Sequence, residues 1–276
     1  MGQFLDKKQA QEAIMLQSAV VSAVIPTVGV MPRSATVTPI AAHAKSAVAC
    51  SSCCLRHVCL PSELDQVELD RFVEIAAAKR KVARGASLYR SGDGFESLYA
   101  VHSGAFKTVG LSRQGDEKIT GFHLAGELMG LEAISSGHYG YSAVALEDSE
   151  VCVIPFAQLE KMAITVPVLQ HQLLRVLSSD ISRDQGLMQL LGSMSADQRL
   201  AAFLLSMSRR HERLGFSASR FVLRMTREEI GNYLGLTLET VSRLMSRFQR
   251  EGLIGVRQRD VELKNALRLR EMVGHW

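Results

Sequence analysis

The sequence predicts an α+β chain in three parts: an antiparallel β-roll of the jelly-roll kind, a long amphipathic helix and a C-terminal winged helix-turn-helix. Three observations predict it. Turn signals recur at near-even spacing between Gly85 and Gly137, an apolar seam of helical period follows Pro167, and two capped helices separated by a glycine lie between Thr226 and Phe248.

Taken in order, residues 1–45 are rich in Ala, Ser, Thr and Val and read as a weakly ordered extension. No apolar run reaches the roughly 18–20 residues that a membrane-spanning helix needs. The best stretch, Ala19 to Met31, is broken by Pro26 and Gly29. Ala47-Val48-Ala49-Cys50 loosely resembles a lipoprotein cleavage site, but Arg33, His43 and Lys45 stand where an apolar signal core belongs. The expectation is a cytoplasmic protein with no membrane partner.

Residues 46–166 are expected to form the roll. The turn glycines Gly85, Gly92, Gly104, Gly115, Gly126 and Gly137 are 7, 12, 11, 11 and 11 residues apart, with short apolar runs such as Leu98 to Val101 between them. Short strands at even spacing are characteristic of a small antiparallel barrel or jelly roll. Its last strand is expected near Val151 to Pro155.

Residues 167–192 switch to a helical period. Leu174, Leu177, Ile181, Asp184, Met188 and Leu191 fall at 3-4-3-4-3 spacing, the a/d seam of a two-stranded coiled coil, so this segment is read as a dimerisation helix. Asp184 is the odd member. Across a twofold axis it would either face its own copy, where the repulsion of two carboxylates would keep the dimer marginal, or rotate to solvent.

Residues 193–276 carry the helix-turn-helix. Thr226 and Glu229 have the spacing of a capping box, Ile230 and Leu234 supply a buried face, and Gly235 suits the turn that ends the first helix. Thr237 caps a second helix whose Val241, Leu244 and Phe248 face inward. The N-terminal end of such a helix enters the major groove of DNA. Glu239, Ser242 and Arg243 lie there, an acceptor for a cytosine amino group, an adaptable hydroxyl and a fork for guanine. Arg247 and Arg250 follow on the same helix and suit phosphates. A β-hairpin wing is expected from Arg257 to Leu263. Charge agrees: Ser195 to Trp276 carries 15 Lys+Arg against 9 Asp+Glu, and the rest carries 17 against 19. A basic segment on a mildly acidic body suits a DNA reader joined to a sensor.

Five cysteines are present. Cys50, Cys53 and Cys59 form C-x2-C-x5-C, a fourth ligand would come from remote Cys152, and Cys54 is extra. The odd count argues against a disulfide framework. Iron–sulfur, zinc and unliganded redox thiols all remain open on spacing alone.

C-x2-C-x5-C, the stretch Gly121-Phe-His-Leu-Ala-Gly-Glu-Leu-Met-Gly130 and the stretch Ile230-Gly-Asn-Tyr-Leu-Gly-Leu-Thr-Leu-Glu-Thr-Val-Ser-Arg243 together resemble the fumarate and nitrate reductase regulators of the CRP/FNR superfamily. The resemblance runs from Cys50 to the C-terminus. It implies a 4Fe–4S cluster on Cys50, Cys53, Cys59 and Cys152 that oxygen converts. With the cluster intact, it implies a homodimer that binds double-stranded palindromic DNA with TTGAT half-sites and activates or represses anaerobic-metabolism genes. It places the base readers on Glu239, Ser242 and Arg243, and RNA polymerase contacts near Ser103-Gly104 and Gly115-Asp116. Cys54 and the long segment before Cys50 depart from the family's pattern.

A cyclic nucleotide is not expected. Gly126-Glu127-Leu128 resembles the ribose-contacting part of such a pocket, but a buried phosphate needs an arginine partner and His138-Tyr-Gly-Tyr-Ser142 has none. A haem ligand could come from His57, His102, His123 or His138, which would leave the cysteines without a task. The sequence has no Walker or dinucleotide loop and no Ser/His/Asp setting, so no enzyme activity is expected.

Overall fold

The structure is a computed structural model that describes residues 50–76, 78–111 and 115–274. The 1–45 extension lies outside the described residues. A 3-10 turn at Cys50–Ser52 and further turns lead to helix α1 (Gln66–Ile75). Asp65 starts α1 through a capping box with Glu68, which satisfies two orphan N–H groups at once.

Eight strands make the roll: β1 (Ala78–Val82), β2 (Ser87–Tyr89), β3 (Ser97–Ser103), β4 (Ala105–Leu111), β5 (Glu117–Leu124), β6 (Leu128–Met129), β7 (Ser142–Ala145) and β8 (Ser149–Pro155). They form two antiparallel four-stranded sheets, ordered β1-β8-β3-β6 and β2-β7-β4-β5. The expected last strand is β8. It is central, with Cys152 opposite Lys79 of β1 on one side and Ala100 of β3 on the other. The roll's interior is filled by Tyr89, Phe106, Met129, Tyr139 and Val151. Tyr89 and Tyr139 stack at 4.0 Å between centroids, and the Tyr139 hydroxyl donates to Ser97 O at 2.6 Å. Buried Tyr needs such a partner, and this one is met by the backbone.

Helix α2 (Phe156–Thr165) closes the roll, and Pro167 opens the long helix α3 (Pro167–Ser193), where a missing N–H costs nothing. Leu169 and Leu190 are buried at its two ends. Between them Leu174, Ile181 and Met188, spaced by seven, stand 58%, 58% and 66% exposed. Leu177 and Leu191 are half-buried against the chain's own cores, so the expected seam splits into an uncovered row and an inward row.

Helix α4 (Ala196–Arg213) begins at a Ser195/Gln198 capping box, and is followed by β9 (Arg220–Val222), α5 (Arg227–Leu234), α6 (Leu238–Arg250), β10 (Ile254–Arg257), β11 (Asp260–Leu263) and α7 (Ala266–Val273). The wing is larger than expected, because β9 joins the hairpin in a three-stranded sheet, order β10-β11-β9. One apolar cluster reaches across α3. Ile119, Phe122 and Leu124 of β5 share one apolar cluster with Leu200, Phe203, Ile230, Val241 and Phe248 of the C-terminal part. No described helix is long and apolar enough to cross a membrane.

Candidate metal centre and nucleic-acid interface

The segment from Cys50 to Leu64 is a string of tight turns, with Cys53 N donating to Cys50 O (3.2 Å) and Cys59 N to Leu55 O (3.0 Å). Leu60 and Leu64 anchor it in the core under α1, and Arg56 donates to Leu64 O at 3.1 Å. Val58 lies over Gly126, where any Cβ would meet the valine methyl at 2.6 Å and where φ is +83°. Only glycine permits that approach.

These turns bring Cys50, Cys53 and Cys59 to Cys152 on β8. Burial pushes the Cys59 thiol up to about 12, and Cys152, Cys50 and Cys53 add to the push. Burial likewise pushes Cys152 up to about 11, against Lys79, with Cys50 and Cys53 again contributing. Cys50 is raised by burial and by Cys53, while Lys79 and Arg56 oppose. Four sulfurs therefore share one field, and two cations stand beside it. Cys54 is exposed. All five cysteines are free.

The donor set suits an iron–sulfur cluster, which is held by four thiolates, and Lys79 and Arg56 suit the negative charge such a group carries. Among the described residues, no three His, Cys, Asp or Glu side chains are drawn in as they would be around one ion.

One neighbour was not legible in the sequence. The His102 Nδ1 atom on β3 lies 3.9 Å from Cys53 Sγ, and its Nε2 lies 3.7 Å from Glu150 Oε2 on β8. Lys79 Nζ donates to the same Glu150 oxygen at 3.3 Å. Burial and Lys79 hold the imidazole below its ordinary pKa, against Glu150.

At the other end of the chain, Thr226 caps α5 in a box with Glu229, and Gly235 ends it at φ 65°, a left-handed conformation that Gly accepts without strain. Thr237 caps α6, and Val241, Leu244, Met245 and Phe248 are buried. Glu239 and Arg243 are exposed, and Ser242 is half-buried. The Glu239 carboxyl is held low by its own backbone N–H and by Thr237, so it stands ready as an acceptor. The Arg243 fork donates to Thr240 Oγ1 at 3.5 Å. Arg247, expected to reach a phosphate, has its guanidinium paired with Asp197 at the start of α4, and its Nε is 3.6 Å from Glu251. It ties α6 to α4.

Three further contacts hold this reader on the roll. Lys107 of β4 pairs with Glu229 of α5 at 2.8 Å. Arg210 of α4 grips the Glu127 carboxylate, with Nε to Oε1 at 2.8 Å, and donates to Phe122 O at 2.6 Å. Asn232 of α5 bonds to β5, with Ile119 N to Oδ1 at 2.7 Å and Nδ2 to Glu117 O at 2.9 Å.

A β-roll carrying a thiol-lined site, joined by a long helix to a winged helix-turn-helix with an open recognition helix, defines a sensor-linked DNA-binding transcription regulator. Residues 198–272 match the Crp-like helix-turn-helix domain, and residues 79–165 match the cyclic nucleotide-binding domain. The chain is 46% identical over 244 residues to the transcriptional regulatory protein Btr of Bordetella pertussis, covering 88% of this chain and 98% of that one. It is 44% identical over 229 residues to the fumarate and nitrate reduction regulatory protein of Escherichia coli strain K12, covering 83% and 92%. The structure of FixK2 from Bradyrhizobium japonicum superposes with a TM-score of 0.66 at 31% identity, covering 72% and 98%. The chain belongs to the CRP/FNR family of transcription regulators.

Proposed function

We propose that this regulator is an oxygen-responsive member of its family, cytoplasmic, in which Cys50, Cys53, Cys59 and Cys152 hold a 4Fe–4S cluster. When bound, the cluster supplies an oxygen-labile centre. The chain's own residues do the rest. The turns of 50–64 hold three thiols against β8, Lys79 and Arg56 balance their charge, and Leu60 and Leu64 keep the site apolar. With the site loaded, the uncovered row Leu174, Ile181 and Met188 pairs with a second copy, joined by Leu177, Asp184 and Leu191 at the seam. Two recognition helices then read a TTGAT-type palindrome through Glu239, Ser242 and Arg243, with Arg247 holding α6 in place. Partners are promoter DNA and RNA polymerase, and the target genes serve anaerobic metabolism, activated or repressed.

The reading rests most on one observation: four of the five cysteines share a field, and the fifth, Cys54, faces solvent. A cyclic nucleotide does not fit it. Tyr89, Tyr99 and Tyr139 fill the roll, and Glu127 of the ribose-like motif is spent on Arg210.

The test is purification without air, followed by iron, acid-labile sulfide and visible spectra before and after admitting oxygen. The expected protein is coloured, with iron and sulfide in equal amounts, and it bleaches in air. A zinc-only or metal-free product sinks the reading, and so does a Cys152→Ala variant that holds the same cluster.

A further inference from the structure

We infer that an arginine-lined cleft between the cysteine turns, α3 and the C-terminal end of α4 is a binding site for a small polyanion, a polycarboxylate or a phosphate compound. The inference goes beyond the cluster reading and does not depend on any group held by the thiols. Two cavities of about 530 and 640 Å³ adjoin there, and both have Glu127, Ser179, Arg183, Arg210 and Arg213 in their walls. Each lies in the range that holds a small ligand, roughly 300–1,000 Å³. Val58 and Leu60 of the turns, Leu128 of β6, Val176 of α3 and Leu214 after α4 give the first cavity an apolar lining. No wall residue of either belongs to the recognition helix α6.

Helical spacing gathers the cations. On α3, Arg175, Ser179 and Arg183 follow at steps of four, and on α4 Arg210 and Arg213 are three apart, so each helix turns one basic face to the cleft. With Arg209, five arginines line the two cavities, against the carboxylates of Glu127 and Asp180. Arg210 holds Glu127, Arg183 holds Asp180, and Arg175 pairs with Glu63, which lies outside the lining. Arg213 has no ion-pair partner among the described residues. An arginine cannot shed its charge, so the positive excess is met by water or by an anion. A cleft lined by one sign of charge, with apolar walls, focuses the field and concentrates ions of the other sign. The guanidinium fork matches carboxylate and phosphate oxygens two at a time, which is why the inferred ligand is an oxyanion. An anion held by Arg213 and the α3 arginines would tie the long helix to the helix that leads into the reader.

The experiment is calorimetric titration of the full chain, metal-free and reduced, with citrate and separately with inorganic pyrophosphate. Wild type is compared with Arg213→Ala, Arg213→Gln and Arg243→Ala. Both positions are exposed, and thermal unfolding without anion first establishes that each variant folds. Arg243 lies on the recognition helix, so its variant reports any anion drawn to the DNA-reading face instead. Wild type is expected to bind one anion per chain, saturably. Both Arg213 variants should weaken that binding about tenfold, the scale of one charge-assisted contact, and Arg243→Ala should leave it unchanged. Tighter binding of citrate supports a polycarboxylate site, and tighter binding of pyrophosphate a phosphate site. No saturable binding of either anion overturns the inference, and so does an affinity that the Arg213 variants leave unchanged. An equal loss in Arg243→Ala would mean general attraction to the basic C-terminal part, and overturns it as well.

Discussion

The side-chain amide of Asn232, on the first helix of the helix-turn-helix, completes the backbone bonding of sensor strand β5: its oxygen accepts from Ile119 N at 2.7 Å and its nitrogen donates to Glu117 O at 2.9 Å. The amide does what a neighbouring strand would do at a sheet edge. Replacing Asn232 by Leu strands an N–H and a carbonyl at a contact that the apolar side chain still covers. The expected loss is about 1–3 kcal/mol of stability. Chemical denaturation of the unloaded chain reads it, and an unchanged midpoint would mean that water takes over both bonds.

Glu127 links the cysteine turns to the reader. Val58 packs on Gly126, and the next residue's carboxylate is held by Arg210 of α4. Burial alone would raise that carboxyl, yet Arg210, with Arg183, brings it down to about 2. Cutting one partner of a mostly buried pair leaves the other charge unmatched, so Glu127→Gln and Arg210→Met are each expected to destabilise by a few kcal/mol. The double variant should cost less than the sum of the two. Additive losses would show that the two residues act separately.

His123 makes stability depend on pH. It is fully enclosed on β5, with Nε2 3.3 Å from Thr108 Oγ1, and faces Arg183, Arg210 and Glu127. Burial first, and then Arg183, lower its pKa from 6.5 to about 3. The unfolded chain takes up a proton below pH 6.5 and the folded chain does not until near pH 3, so stability falls as pH drops through that window, by up to ~1.4 kcal/mol per unit. Glu127 adds a loss only below its ordinary 4.5. Comparing wild type with His123→Gln between pH 7 and pH 5 isolates the histidine. Over that range the wild type should lose at least about 1 kcal/mol more stability than His123→Gln does, and parallel curves would refute this.

Asp184 is exposed on α3, and partial burial together with Asp180 raises its carboxyl against Arg183. It shares its seam with Leu174, Ile181 and Met188, which no described residue covers. Asp184→Ala is expected to lower the dimer dissociation constant in air several-fold by sedimentation. An unchanged monomer–dimer balance would turn Asp184 to solvent.

Arg243 and Arg247 should part company. Arg243→Ala is expected to lose discrimination at one base pair of the half-site, about 1–3 kcal/mol, in a competition binding assay. Arg247→Ala should instead lower thermal stability, because Asp197 and Glu251 lose their partner. Uniform weakening on every DNA by Arg243→Ala would reassign that residue to phosphate.

The parts legible in the sequence are those encoded locally. Thr226, Glu229, Gly235 and Thr237 announce their helices because a cap is a bond between residues three apart. The Ser195/Gln198 box of α4 is equally local, but the charged run around Arg209 and Arg210 hides the apolar period of Leu200, Phe203, Leu204 and Met207. Other contacts follow from strand register, which no local pattern states. Cys152 meets the turn cysteines, and His102 meets Cys53, only because β8 lies between β1 and β3. Arg247 looks free to reach DNA in the sequence because its partner Asp197 is fifty residues away on another helix.

The place of Cys152 at the middle of a sheet has a topological consequence. The other three thiols sit on a segment that no strand pairing secures, roughly a hundred residues upstream. Anything that bridges the four sulfurs closes that long loop as a clasp does, and closing a loop of such length removes much of the unfolded chain's freedom. The rigid strand would then be the fixed jaw, and the turns the jaw that opens. Unloading would slacken the segment that bears Val58, the residue that presses on Gly126 beside the reader's anchor.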